Sequence, residues 1–222
     1  MTTVGFIGAG NLGTALARLA VRAGHGVVLS NSRDPGTLSE TAAKLGPLAS
    51  TATSDDAAAA GEIVVISVPL AAFATLPAAA LAGKTIIDTC NYGPERDGQI
   101  AELDDGSLTS SELLQRYVPD AWLVKAFNNI SAQHLLSLAH PAEGGNRAYL
   151  PMAGDSASAK AAVSEFIRSV GFGVIDAGSL GDGWRQATGT PVWGIPYGRH
   201  FAARDRSADA DAIRAALASA TR

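Results

Sequence analysis

Cysteine occurs once in this 222-residue chain, as Cys90, so neither an intrachain disulfide nor a cysteine-built metal cage is available. Histidine is nearly as scarce. His25, His134, His140 and His200 stand apart with no shared spacing, and no metal site is expected. No apolar run approaches the roughly 18 residues that cross a bilayer. The chain opens directly on a strand pattern with no basic leader, so the cytoplasm is the expected location and no membrane partner is expected. Charged residues make up 17% of the chain, the formal net charge is −4 and no basic cluster appears, which argues against a nucleic-acid surface. Ser-His-Asp order, H-E-x-x-H and paired carboxylates near a motif are also missing. What is plentiful is apolar residues, 47% of the total, and glycine, 24 residues. That is enough to bury a substantial core.

The glycines are concentrated where they say most. Val4-Gly5-Phe6-Ile7-Gly8 reads as a buried strand running into Gly8-Ala9-Gly10-Asn11-Leu12-Gly13, with a helical pattern from Asn11 to Ala23 and a second strand at 26–31. Strand, glycine loop, helix and strand at this spacing form a dinucleotide-binding unit. Gly8 permits the turn, Gly10 removes a side chain where a pyrophosphate approaches, and Gly13 lets the helix pack close to the sheet. Unpaired N–H groups of Asn11, Leu12 and Gly13 at the helix start favour the phosphates.

Strands and helices then alternate. Helices are predicted at 36–45, 55–60, 70–81 (ended or kinked by Pro77), 110–117, 156–170 and 207–220. Strands are predicted at 48–50, 62–69, 84–91, 121–127, 147–153 and 171–176, a turn at 140–145, and a polar loop at 92–108. This pattern predicts an α/β, Rossmann-type, doubly wound and mostly parallel sheet. Residues 1–180 form the nucleotide-binding domain. Residues 181–222, rich in glycine and aromatics, form a C-terminal cap or dimerisation segment, with Trp193 and Tyr197 lining either the pocket or an interface.

The end of the second strand chooses the nucleotide. An NAD binder places a carboxylate there for the ribose 2′-OH, whereas this chain has Ser30, Asn31, Ser32 and Arg33 before Asp34. An arginine with hydroxyl and amide donors suits a 2′-phosphate. NADP is therefore the expected cofactor, held by Arg33, Ser32 and Asn31, while Asp34 caps the next helix with its charge turned away.

Together, Gly8–Gly13, Ser32-Arg33, Val65-Ile66-Ser67-Val68-Pro69, Val124-Lys125-Ala126-Phe127-Asn128, Gly154-Asp155-Ser156 and the stretch from Val170 to Leu180 resemble the NADP oxidoreductases dependent on a deazaflavin, coenzyme F420. The domain fused in metalloreductase membrane proteins is a more distant relative. The resemblance implies a hydride transfer between NADP(H) and a flat flavin-like ring, in a homodimer, with deazaflavin as co-substrate. It places Val68 and Pro69 beside the nicotinamide ribose and Ala126 near the ring. Asn128, Met152 and Gly154 would lie at the second ligand, with Trp193 and Tyr197 as further wall candidates. Asn91 at the end of its strand is a further cofactor contact. Arg96, Lys125, Arg185 and Arg199 are candidate cations for an acidic ligand tail. Two alternatives stay open: an NADPH-dependent reductase of a small imine or carbonyl, with Tyr92, His134 or Tyr197 as proton donor, and a non-enzymatic NADP-binding sensor. Asn128 and His134 are the catalytic candidates.

Overall fold

Four consecutive apolar residues in Ile63–Ile66 and the strands on either side of them are buried on both faces, as a parallel sheet covered by helices requires. The computed structural model describes residues 1–140, 147–198 and 208–222. The predicted turn at 140–145, Arg199 and His200 therefore lie wholly or largely outside the described residues.

The strands are β1 (Thr3–Ile7), β2 (Gly26–Ser30), β3 (Ala49–Thr51), β4 (Ile63–Ile66), β5 (Thr85–Asp88), β6 (Trp122–Ala126), β7 (Tyr149–Gly154) and β8 (Gly173–Asp176). The α-helices are α1 (Asn11–Arg22), α2 (Ser39–Leu45), α3 (Ser54–Ala60), α4 (Ala78–Leu81), α5 (Pro94–Asp97), α6 (Ala101–Asp104), α7 (Ser110–Tyr117), α8 (Ala132–Leu138), α9 (Ala157–Ser169) and α10 (Ala210–Ala218). The strands form one sheet in the order β3-β2-β1-β4-β5-β6-β7-β8. Every pairing is parallel except β6 with β7. The chain leaves β1 towards β2 and β3, then returns to the other side of β1 at β4, which makes the β1/β4 boundary the switch point where open α/β sheets bind ligands. Alternate residues feed two cores. Phe6, Val65, Ile87 and Val124 join one, and Ile7, Val64, Ile66, Ile86 and Leu123 the other.

Several local expectations change in detail. Pro77 does break the predicted 70–81 helix, which becomes a 3-10 helix over Leu70–Thr75 followed by α4, because proline lacks the N–H needed to continue the ladder. The polar loop at 92–108 holds two single-turn helices, α5 and α6. The C-terminal segment packs into the main core: Val192, Tyr197, Ala208, Ile213 and Leu217 are buried in the same cluster as Phe6 and Val124. No helix among the described residues is long and apolar enough to cross a membrane.

Candidate functional site

The sheet register defines a ledge. Ile7 pairs with Ser30 and Ile66, Ile66 with Asp88, Asp88 with Lys125, and Lys125 with Ala153. The residues just beyond (Gly8, Asn31, Ser67, Thr89 and Ala126) therefore share one carboxyl-end edge. Gly8 has a φ of 103°, and a Cβ there would lie 2.2 Å from Ser67 O. A Cβ on Gly13 would lie 2.3 Å from Gly8 O. Both glycines are demanded by the fold itself. Gly10 is different: its φ of −76° suits any residue, and a Cβ there would meet nothing within 4 Å. The polypeptide does not need a glycine at this point, whereas a pyrophosphate approaching the backbone does. Gly10 is also the N-cap of α1 and supplies no side-chain cap, and the first turn carries no acidic residue. The leading N–H groups are thus free for an anion.

At the end of β2, Asn31 Oδ1 accepts from Arg33 N at 2.8 Å, and Asn31 Nδ2 donates to Thr37 Oγ1 at 3.1 Å. This ties the Asn31–Arg33 turn in place, with Ser32 and Arg33 exposed. Asp34 Oδ1 accepts from Gly36 N at 2.8 Å and caps the following 3-10 turn. One of its two carboxylate oxygens is taken up in that cap.

Between the start of α1 and the end of β6 lies a cleft of about 490 Å³. Asn11 and Leu12 line one side, Asn91 and the run from Asn128 to Gln133 the other, and Trp193 closes it from the C-terminal segment. Five of the residues singled out from the sequence (Asn11, Leu12, Asn91, Asn128 and Trp193) thus share one space. Val68 and Pro69 lie at the end of β4 beside the glycine loop, Val68 Cγ1 being 3.0 Å from where a Gly8 Cβ would sit. Ala126 lies on the ledge but is fully buried.

Other candidates fall elsewhere. Gly154 pairs with Val124, two residues or about 7 Å inside the ledge, because β7 runs antiparallel to β6 and carries its end away from the cleft. Met152 is level with Ala126 but packs in the core. Tyr197 is fully buried, with its hydroxyl accepting from Asn129 Nδ2 at 3.0 Å and donating to Tyr149 O at 3.0 Å. Burial pushes its phenol well above the ordinary range, against the Asn129 bond. His134 is buried in α8 and does not line the cleft. Tyr92 donates to Asp104 Oδ1 at 2.7 Å and accepts from Ile100 N at 3.0 Å, so its hydroxyl holds the 92–104 loop together.

Lys125 does not stand at the cleft mouth, where a cation for an acidic ligand tail would be. It is 1% exposed. Its Nζ pairs with Asp88 Oδ2 at 3.1 Å, donates to Ser110 Oγ at 3.2 Å and also bonds Cys90 O. Ser111 Oγ and Cys90 N complete the carboxylate's partners at 2.7 and 2.8 Å. This ion pair joins β5 to β6 directly under the ledge. Cys90 is buried beside it, its thiol pushed up by burial and then by the Asp88 charge, which leaves it unreactive. Arg96 does sit near the cleft, donating to Asn91 O and pairing with Asp97 at 2.7 Å. Arg185 pairs with Asp182 at 3.3 Å and lies 5.7 Å over the Trp184 ring.

Asp97 staples the loop to the ledge. Its carboxylate accepts from Leu70 N at 3.1 Å and Gly93 N at 3.0 Å, besides Arg96. Burial opposes its ionisation, but Arg96 and these amides outweigh burial and hold the carboxyl below the usual carboxylate range. A carboxyl whose folded pKa is depressed contributes stability above its unfolded pKa and loses it as pH falls through the folded value. Asp97→Ala is expected to cost about 2 kcal/mol near neutral pH. In urea titrations that difference should shrink progressively below about pH 4. A pH-independent difference would show that the charge plays no part.

The site's least predictable feature is a group of carboxamides. Asn91 Nδ2 donates to Asn128 O at 2.7 Å, and Asn128 Nδ2 donates to Asn91 Oδ1 at 3.0 Å and to Gln186 O at 2.7 Å. The side-chain oxygens of Asn128, Asn129 and Gln186 are buried without a hydrogen-bond partner. An unpaired buried acceptor costs about 1–3 kcal/mol, so each of these oxygens calls for an explanation. The Asn128-Asn129 pair after a strand was a visible signal for it. Gln186, far along the chain, gave none.

The fold and glycine loop define a domain of the Rossmann class, with a dinucleotide-binding unit at its start. Residues 3–92 match the model of the family described as NADP oxidoreductase, coenzyme F420-dependent, in line with the resemblance read from the residues. Over 208 residues, 87% of this chain, the sequence is 32% identical to the rat metalloreductase STEAP3. The chain spans 38% of that relative's length. Among solved structures, the hypothetical protein SMa0349 of Sinorhizobium meliloti has a TM-score of 0.72 at 28% identity, with 94% of this chain and 97% of that one covered. A candidate F420-dependent NADP reductase from Arthrobacter sp. FB24 has a TM-score of 0.67 at 28% identity, with 81% and 86% covered. The family model matches the part of the chain from β1 to β5, and the first of these structures extends the likeness over the rest of the sheet.

Proposed function

We propose that this chain transfers a hydride between NADP(H) and a flat, flavin-like acceptor of the deazaflavin type, in the cleft at the switch point. The observation that carries this reading is the make-up of the cleft. A glycine loop with an open approach at Gly10 faces a wall of carboxamides and Trp193, and no titratable side chain stands among its described lining residues. Reduction of an imine or carbonyl requires an acid within hydrogen-bond reach of the substrate. Tyr92, His134 and Tyr197, the candidates for that duty, are tied up or buried outside this lining. Transfer between two rings requires orientation and exclusion of water instead.

When bound, reduced NADP supplies the hydride. The N–H groups that open α1 hold its pyrophosphate, and Ser32 and Arg33, with Asn31 bracing their turn, receive the 2′-phosphate. Asn91 and Asn128 form the polar wall at the ring end. Trp193 presents a flat apolar face against which a second ring stacks, and Leu12 and Ile130 keep water out. Arg96, beside Asn91, is the cation best placed for an acidic ligand tail. A homodimer belongs to the same reading, and light scattering of the protein in solution measures it.

The test is an acceptor panel. The protein is mixed with NADPH and, in turn, oxidised deazaflavin, a flavin, cyclic imines and small ketones, and nicotinamide absorbance is followed. Turnover with the deazaflavin or flavin and none with the imines is expected. Turnover with imines or ketones alone would overturn the reading, and tight NADPH binding with no turnover on any acceptor would make the protein a sensor.

A further inference from the structure

One acid stands on the turn after β2. Asp34 is the only carboxylate between Gly26 and Ser39, and it directly follows Arg33 in the chain. Opposite charges side by side on an exposed turn can pair, and a carboxylate in this region also suits the free 2′-OH of a nucleotide that lacks the phosphate. Here Asp34 Oδ1 instead accepts from Gly36 N at 2.8 Å. The Arg33 guanidinium is in no ion pair among the described residues.

The turn is tied on itself around this acid. Asn31 Oδ1 accepts from Arg33 N at 2.8 Å, and Asn31 Nδ2 donates to Thr37 Oγ1 at 3.1 Å. Asp34 O accepts from Thr37 N at 3.0 Å and from Thr37 Oγ1 at 2.7 Å. With the backbone on both sides of Asp34 held, the place of its charge is left to its own side-chain torsions. Position 36 decides them. Gly36 lies in the 3-10 helix Pro35–Leu38 with a φ outside the left-handed region, so its backbone would accept other residues. A Cβ there would meet a single atom within 4 Å, Asp34 Oδ1 at 2.8 Å. The missing side chain at 36 therefore matters to one group, the Asp34 carboxylate. A methyl group would drive that carboxylate off the amide at small cost, because the atom displaced is the tip of an exposed side chain.

We propose that Gly36 is a specificity-determining residue of the nucleotide site: it leaves the Asp34 carboxylate room on its own amide and so keeps that charge off Arg33, whose guanidinium stays free for a 2′-phosphate. A side chain at 36 releases the carboxylate to pair with Arg33 or to accept from an unphosphorylated 2′-OH. Preference then moves from NADPH towards NADH, by repulsion of one ligand as well as attraction of the other. This rests on the reading of the cleft as an NADP site.

The experiment measures NADPH and NADH affinities by calorimetry for the wild type, Gly36→Ala, Asp34→Glu and the double variant Gly36→Ala with Asp34→Asn. Thermal midpoints check that each is folded. Gly36→Ala is expected to weaken NADPH about tenfold and to leave NADH within twofold or tighter. Asp34→Glu reaches the same end without touching Gly36, since a side chain one methylene longer no longer fits the Gly36 amide, and its NADPH-to-NADH ratio should fall in the same direction. In the double variant the displaced group is neutral, and NADPH should return to within about threefold of the wild type. Unchanged ratios in Gly36→Ala and Asp34→Glu, or equal losses of both nucleotides, overturn the proposal. So does a double variant as weak for NADPH as Gly36→Ala, because the loss would then come from the backbone and not from the acid. Should Gly36→Ala fail to fold, Asp34→Glu decides alone, the change being confined to an exposed side chain. A wild type that binds neither nucleotide, or both equally, sinks the NADP reading and the proposal with it. A wild type that prefers NADPH, with the preference intact in both single variants, sinks the proposal alone.

Discussion

Gly10→Ser should leave the protein as stable as the wild type, or slightly more so, while NADPH affinity falls roughly a hundredfold, about 3 kcal/mol. The two effects have opposite signs for separate reasons. Gly10 has an unstrained backbone and open space where a Cβ would stand, and as the N-cap of α1 it would gain from a serine hydroxyl that accepts a helix N–H. The same hydroxymethyl group would occupy the approach to the backbone amides that a pyrophosphate needs. Gly13→Ala is the contrast. Its Cβ would fall 2.3 Å from Gly8 O, so that variant should lose about 1–3 kcal/mol of stability through overpacking. Thermal unfolding and NADPH titration on the two variants separate the glycine the ligand needs from the one the fold needs.

Lys125→Met is expected to be the costliest single change for stability, about 3–5 kcal/mol. The substitution removes the ammonium group but leaves Asp88 fully buried, with only Ser111 and the Cys90 amide to stabilise its charge. Removing the carboxylate as well, in Lys125→Met with Asp88→Asn, should recover most of the loss, because the uncompensated charge is gone. Urea denaturation of the single and double variants measures both. If the single variant loses less than about 1 kcal/mol, the pair is not the brace between β5 and β6 described above.

The first half of the fold was legible because local pattern and tertiary role coincide there. The glycine loop sits where the strand period gives way to the helical one, and the unbroken apolar run at Ile63–Ile66 announces a strand covered on both faces. Asp34 could be recognised as a cap because it directly precedes Pro35, and its carboxylate does accept from Gly36 N. The far wall of the cleft was less legible. The reversal of β7, which takes Gly154 away from the ledge, follows from its antiparallel pairing with β6, a tertiary choice that leaves alternation along the strand unchanged. Tyr197 looked like a ring wall, yet its hydroxyl finds buried partners in Asn129 and Tyr149, 68 and 48 residues earlier. Lys125 looked like a solvent cation because its carboxylate partner stands 37 residues away on another strand. Polar groups that look exposed in one dimension were satisfied in three.

The claim on which the rest depends is that the turn after β2 accepts a 2′-phosphate, and the affinity ratio of NADPH to NADH tests it most directly. Arg33 is exposed and Asp34 Oδ1 is turned to the Gly36 amide, so the wild type should bind NADPH much more tightly than NADH. Arg33→Ala should weaken NADPH by roughly ten- to a hundredfold, the worth of one charge-assisted contact, while changing NADH by less than about twofold. Equal affinities in the wild type, or equal losses for the two nucleotides in the variant, would contradict the assignment of NADP.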